Sequence, residues 1–125
     1  MVLILPRDKH DIESAAALVV LGWEAVEPVA PQILEWTQDS NWPVAAVFHP
    51  LLIGAGARLA PFLNPIFEGD DDVWKYCLLV HVVRQSPELV TAMRSRLERL
   101  VNSPTTNEQL EGVSEQARDI LASRL

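Results

Sequence analysis

The side chains with the most chemistry to offer are His10, His49 and His81, the run Asp70-Asp71-Asp72, Lys75 and Cys77. Imidazoles beside carboxylates are the raw material of a metal site or of general acid–base catalysis. Their spacing does not fit zinc. No histidine has a second His or Cys at metal-binding distance along the chain, and His-Glu-x-x-His is absent. Glu68-Gly69-Asp70-Asp71-Asp72 can gather Mg²⁺ or Ca²⁺ only without the alternating ligands and later glutamate of a calcium loop. Capping of the following helix is the plainer use of those aspartates. No nucleophile elbow, phosphate loop or dinucleotide glycine pattern occurs, so the expectation is a protein without enzymatic activity, metal or cofactor. One alternative stays open: a small-ligand or metal site at the His/Asp turns, built from His10, His81 and the three aspartates if the fold gathers them around a pocket.

Binding without catalysis needs other residues. Trp36, Trp42 and Trp74 are either core anchors or an exposed aromatic strip, and tryptophan is a frequent hot spot at interfaces. Lys75 can pair with Asp71 or Asp72, or reach a partner. His49 and His81 either face one groove from successive hairpins or are separate, half-buried, hydrogen-bonded histidines. Arg94, Arg96 and Arg99, with Glu98 among them, read as a solvated face. Cys77 sits in the most apolar stretch and is expected to be inert.

The elements that must position these residues are helical throughout, since no alternating run bounded by hairpin turns is found. Seven rods are expected. The first is capped by Asp8, with Asp11 three residues on, and stops at Gly22. The second covers residues 24–38, irregular at Pro28 and Pro31. The third starts at Pro43 after the capping-rich turn Asp39-Ser40-Asn41 and contains Pro50. The fourth covers residues 57–68. The fifth, residues 73–84, is apolar nearly all round and so should be the buried central helix. The sixth starts at Ser86-Pro87-Glu88 and carries the stripe Leu89, Met93, Leu97, Leu100. The seventh covers residues 107–123, with Leu110, Val113, Ala117 and Ile120 inward.

An internal echo orders these rods. Sliding the chain by 32 residues lays Asp39 on Asp71, Trp42 on Trp74 and His49 on His81. An interval of this size is that of stacked two-helix repeats, in which each hairpin covers its neighbour's apolar face. The segments Leu5-Pro6-Arg7-Asp8-Lys9-His10-Asp11, Glu35-Trp36 with Gln38-Asp39, Asn41-Trp42-Pro43-Val44 and Asp71-Asp72-Val73-Trp74-Lys75-Tyr76 resemble a small bacterial domain family of unknown function, helical and HEAT-like. The resemblance spans nearly the whole chain. It implies an all-α fold, a short HEAT-like α-α superhelix, and carries over no catalytic residue. Pro50 and Pro65 depart from it locally.

With 125 residues, 49% of them apolar, the chain is expected to form a single domain, residues 1–125, large enough to bury its own core. One cysteine points to a reducing compartment. The apolar run 1–5 is too short for a signal peptide, and no run approaches the roughly 20 apolar residues of a membrane span, so a cytoplasmic protein without membrane contact is expected. The net charge of −7 lies almost wholly in residues 1–72 and argues against nucleic acid. It suits either plain solubility or the steering of a basic partner. The expected function is binding of a protein or peptide at a surface near Trp42, His49, Asp71, Trp74, Lys75 and His81. An immunity-type inhibitor that masks a toxin is a more specific variant.

Overall fold

In the computed structural model, which describes residues 2–123, the first helix, α1 (Ile12–Leu21), opens on Asp11. Its carboxylate accepts from the Ser14 N–H at 3.3 Å, and from Arg7 through both N–H (3.0 Å) and Nε (3.3 Å). Asp8, the expected cap, instead takes the His10 N–H at 2.8 Å and shapes the preceding turn. Met1, and the last two residues of the expected 1–125 domain, lie outside the described residues.

Past Gly22 the chain bends by 115° into the second rod. That rod is broken into α2 (Trp23–Val26), a 3-10 turn Glu27–Val29 and α3 (Ala30–Glu35). Pro28 and Pro31 are the cause, because each removes an N–H that a continuous helix would use. In the next turn Thr37 is buried and donates to the Leu34 carbonyl at 2.6 Å, while Asp39 accepts from the Asn41 N–H at 2.8 Å. Trp42, in extended backbone, is the cap of α4 (Pro43–Ala55), and Pro43 takes the first helical position, where it has no N–H to lose. This helix continues through Pro50.

Helical turns follow one another from Pro43 to Glu68, 26 residues that are apolar enough on average to cross a membrane. Gly56 divides them. Its φ of 58° and ψ of −137° interrupt the α-helix and lead into a 3-10 turn, Gly56–Leu59, and α5 (Ala60–Glu68). The two rods of 13 and 9 residues each fall short of a span. Phe48, Leu52, Leu59 and Leu63 from this stretch are fully buried in the core.

α6 (Asp72–His81) is capped by Asp71, which accepts from the Trp74 N–H at 3.1 Å. α7 (Pro87–Ala92) opens as the sequence indicates, with Ser86 Oγ accepting from the Leu89 N–H at 3.3 Å. The sixth rod then breaks at Met93, because its halves have different neighbours. α7 lies on the Gly56–Leu59 turn, whereas α8 (Arg94–Asn102) lies on the last helix. The expected stripe Leu89, Met93, Leu97, Leu100 is buried in full. The seventh rod divides into α9 (Thr106–Leu110) and α10 (Val113–Ser123) at Gly112, whose φ of 79° no helix accommodates. The fold is therefore all-α, with no strand among the described residues; the second, sixth and seventh expected rods are each split into two α-helices, and the fifth ends at His81, short of the expected residue 84, before a 3-10 turn Val83–Gln85.

Two burial expectations are corrected. Val73 and Tyr76 of α6 are exposed, at 51% and 38%, while Lys75 between them is 2% exposed. An all-apolar pattern fixes no face, and the lysine goes inward because two carboxylates wait there. Leu110 is 78% exposed because the break at Gly112 turns α9 away from the face of α10.

Lateral contacts recur at comparable separations along the chain, from 28 residues for Glu68 and Arg96 to 39 for Gln38 and Cys77. His49 lies on His81 and Asn64 on Arg96, and Arg84 meets Gln116, each pair 32 residues apart. Lys75 meets Glu108 at 33 residues, Asp72 meets Asn107 at 35 and Thr37 meets Trp74 at 37. α4 packs on α1 and α2, and α6 on α5 and α10.

Candidate functional site

His49 projects from α4 and His81 ends α6. Their rings are parallel to within 3°, with centroids 4.8 Å apart. Of the two sequence alternatives, the shared position is the one observed. Burial, then the neighbouring His81, pushes the His49 pKa down to about 4. At neutral pH the His49 imidazole is uncharged, and the two stacked rings join two helices.

At the other end of α6 the joint is ionic. Lys75 Nζ lies 2.7 Å from Asp72 Oδ1 and 2.9 Å from Glu108 Oε2, and all three side chains are at most 4% exposed. The Asp72 contact is a bent ion pair; that carboxylate's aligned hydrogen bond comes from Asn107 Nδ2 to Oδ2 at 2.6 Å. Glu108 is held by more groups still. Arg99 donates to both its oxygens, at 2.6 and 2.8 Å, in the forked arrangement that suits guanidinium and carboxylate. The Thr105 N–H adds a bond at 2.8 Å, completing a reciprocal cap in which Thr105 Oγ1 accepts from the Glu108 N–H. Burial alone would raise the Glu108 pKa; the bonds from Arg99, Thr105 and Lys75 outweigh it and bring the carboxyl to about 2. Burial likewise opposes the charge on Lys75, yet Asp72 and Glu108 raise its pKa. A cavity of about 370 Å³ opens beside this cluster, and its cations face it already paired: Arg99 to Glu108, and Arg96 to Asn64 at 2.8 Å and to Glu68. Arg96 and Arg99 thus stay at the surface, as the solvated strip expected from sequence, and also act as inter-helix ties.

The tryptophans belong to the core. Trp23 is buried, and Trp36, Trp42 and Trp74 pack half-buried against the central cluster. Trp36 and Trp42 meet edge to face with centroids 5.9 Å apart. Trp74 Nε1 donates to Thr37 Oγ1 at 2.9 Å, which fixes its indole as one wall of an apolar groove between α3 and α5. Pro31, Leu34, Pro61, Phe62, Pro65 and Ile66 line the rest of this groove, Glu35 stands at its edge, and its volume is about 230 Å³.

His10, His81 and the three aspartates do not converge. His10 is exposed on the N-terminal turn, which a bond from the Val44 N–H to the Lys9 carbonyl ties to the start of α4. His81 and Asp72 are at opposite ends of α6, about 13 Å apart by helical rise. Asp71 is a helix cap, Asp70 is exposed, and no group of three metal-capable side chains occurs among the described residues. Cys77 is buried, its Sγ 3.9 Å from the Gln38 carbonyl. Sequence reasoning missed Glu108 and Asn107. The signal for Glu108 was present as Thr105-x-x-Glu108, a capping box ahead of a helix.

No curated protein matches this chain. A family model described as "Domain of unknown function (DUF5071)" matches residues 4–121, nearly its whole length, and the chain belongs to that family.

Proposed function

We propose that this domain is a non-enzymatic helical-repeat module that binds a protein or peptide, and that its rods stack as a short HEAT-like α-α superhelix. The recurrence of lateral contacts at separations of 28 to 39 residues supports the stack, since in a solenoid each repeat touches only its neighbours. The observation that carries the binding role is the groove walled by Trp74. At about 230 Å³ it is smaller than the roughly 300–1,000 Å³ pockets that enclose small molecules, and it suits one or two side chains of a docking segment. Its walls are rigid, because three prolines and a hydrogen-bonded indole form them, so little freedom is lost on binding. Glu35 at the edge favours a basic residue beside the inserted apolar one. Trp42, His49 and His81 serve by holding this surface in shape, and Asp71 and Lys75 by fixing the helix that carries Trp74. The net charge of −7 fits a protein partner better than nucleic acid, and a cytoplasmic setting goes with it.

Affinity capture with mass spectrometry tests the proposal, run with the wild type and with Ile66→Glu, which charges the groove floor. A partner recovered by the wild type and lost with Ile66→Glu is the expected result. Recovery of nothing, or equal recovery by both, overturns it.

A further inference from the structure

The groove beside Trp74 has two unlike ends. Glu35 is two residues from Thr37, whose hydroxyl holds the indole N–H, so carboxylate and indole stand at the same end. Glu35 is exposed, and its carboxylate has no hydrogen bond or ion pair among the described residues. Pro31 lies one turn back along α3, about 6 Å away by helical rise. Phe62 closes that far end, packed edge to face on Trp23 at the start of the second rod with centroids 5.8 Å apart. One end is thus lined by apolar side chains, and the other joins an indole to an unpaired negative charge. The surroundings carry the same sign. From residue 10 to residue 74, the stretch that supplies every wall of the groove, there are ten Asp and Glu and a single Lys or Arg, Arg58. Arg58 does not line the groove; its Nε donates to the Ala55 carbonyl at 3.1 Å.

We propose that this groove selects arginine, carried on an extended protein segment two residues from an apolar side chain. The inference rests on the docking role proposed above and names what docks. The apolar residue fills the end at Pro31 and Phe62. The arginine lies at the other end, its methylene stem along the apolar floor and its guanidinium between the indole and the Glu35 carboxylate. Side chains two apart on an extended segment share a face and stand about 7 Å apart, close to the separation of the two ends. A cation against tryptophan is drawn to the negative face of the ring, and Glu35 adds an ion pair. Arginine suits the seat better than lysine. Its guanidinium is planar, stacks on aromatic faces and gives up water more readily than an ammonium. Its stem can stay in apolar contact while the head keeps to the edge. The hydrogen bond to Thr37 holds the indole in place, so the seat is formed before the ligand arrives. The acidic surroundings steer basic segments towards it and turn acidic ones away.

NMR of the isotope-labelled full chain tests it, reading the four indole N–H signals, with that of Trp74 assigned through Trp74→Phe. The probes are acetylated, amidated peptides: Ser-Leu-Ser-Arg-Ser, and the same peptide with lysine, citrulline or leucine in place of arginine. The arginine peptide should shift the Trp74 signal at millimolar concentration. Citrulline keeps the shape and loses the charge, and its peptide should bind about tenfold more weakly. The lysine peptide should fall between the two. Glu35→Gln, at an exposed position, should weaken the arginine peptide about threefold and leave Tm and the leucine peptide unchanged. No shift with the arginine peptide, equal binding by the lysine or citrulline peptide, or no effect of Glu35→Gln overturns the inference. A leucine peptide that binds as tightly as the arginine one also overturns it while keeping the groove as a docking site. Partner capture that is unaffected by Ile66→Glu instead removes the docking role itself, and the inference with it.

Discussion

At its C-terminal end α6 meets α4 through two imidazoles stacked face to face; at its N-terminal end it meets α8 and α9 through Lys75, Asp72, Glu108 and Arg99. The spacing along the chain is nearly the same, 32 and 33 residues, so two contacts of the same span are made by opposite chemistry. The histidine joint works with His49 uncharged. As pH falls from about 6.5 through 4, the unfolded chain accepts a proton at His49 that the folded chain resists, and stability declines in that window. The ionic joint works by being charged. The Glu108 pKa is held near 2 against a usual value of 4.5, so its contribution is complete above about 4.5 and is lost as pH falls towards 2. Acid weakens both, in sequence, with His49 first.

Substitutions can break or sharpen this contrast. The largest effect is expected from Lys75→Met, which leaves two buried carboxylates without their shared cation; about 3–5 kcal/mol should be lost in urea unfolding at pH 7. A loss under 1 kcal/mol would mean that the ionic joint is replaceable by packing. Glu108→Gln keeps the shape and removes the charge, and should cost about 2–3 kcal/mol at pH 7 while flattening the pH dependence of stability below 4.5. Asn107→Ala removes one exposed donor to Asp72 and should cost about 1 kcal/mol by the same assay. The smallest effect at neutral pH is expected from His49→Phe, which keeps a flat ring against His81. Its stability should stay within about 1 kcal/mol of wild type at pH 7.5, yet the decline between pH 6.5 and 4 should vanish from a Tm–pH profile. A decline of unchanged size in that variant would assign the acid sensitivity elsewhere.

Much of the helical plan was readable because it rests on local chemistry: Gly22 as a stop, Pro43 and Pro87 as starts, the stripe from Leu89 to Leu100. The meeting of His49 and His81 was readable as one of two alternatives, since a 32-residue echo places equivalent positions side by side. Of the ionic cluster, the pairing of Lys75 with Asp72 was readable as one alternative, but its burial and the part played by Glu108 were not. In α6 nearly every position is apolar, so periodicity gives no rotation about the helix axis, and only the carboxylate 33 residues later decides that Lys75 turns inward and Val73 outward. The break at Met93 was likewise invisible, because it reflects two different packing partners and not the preference of methionine. For the candidate site, Trp74 was singled out from sequence, whereas the groove it walls depends on Pro31, Phe62 and Pro65 arriving from two other rods.

The comparable span of the lateral ties also bears on how the molecule comes together. The long-range side-chain hydrogen bonds described above span 28 to 39 residues. Ring closure over such moderate distances is quick, and a low mean separation of partners goes with rapid acquisition of structure. A nascent chain can therefore seat each hairpin on the one before it once about forty further residues have left the ribosome, so that assembly proceeds in the direction of synthesis and the tie between Arg84 and Gln116 closes after the Lys75–Glu108 clasp.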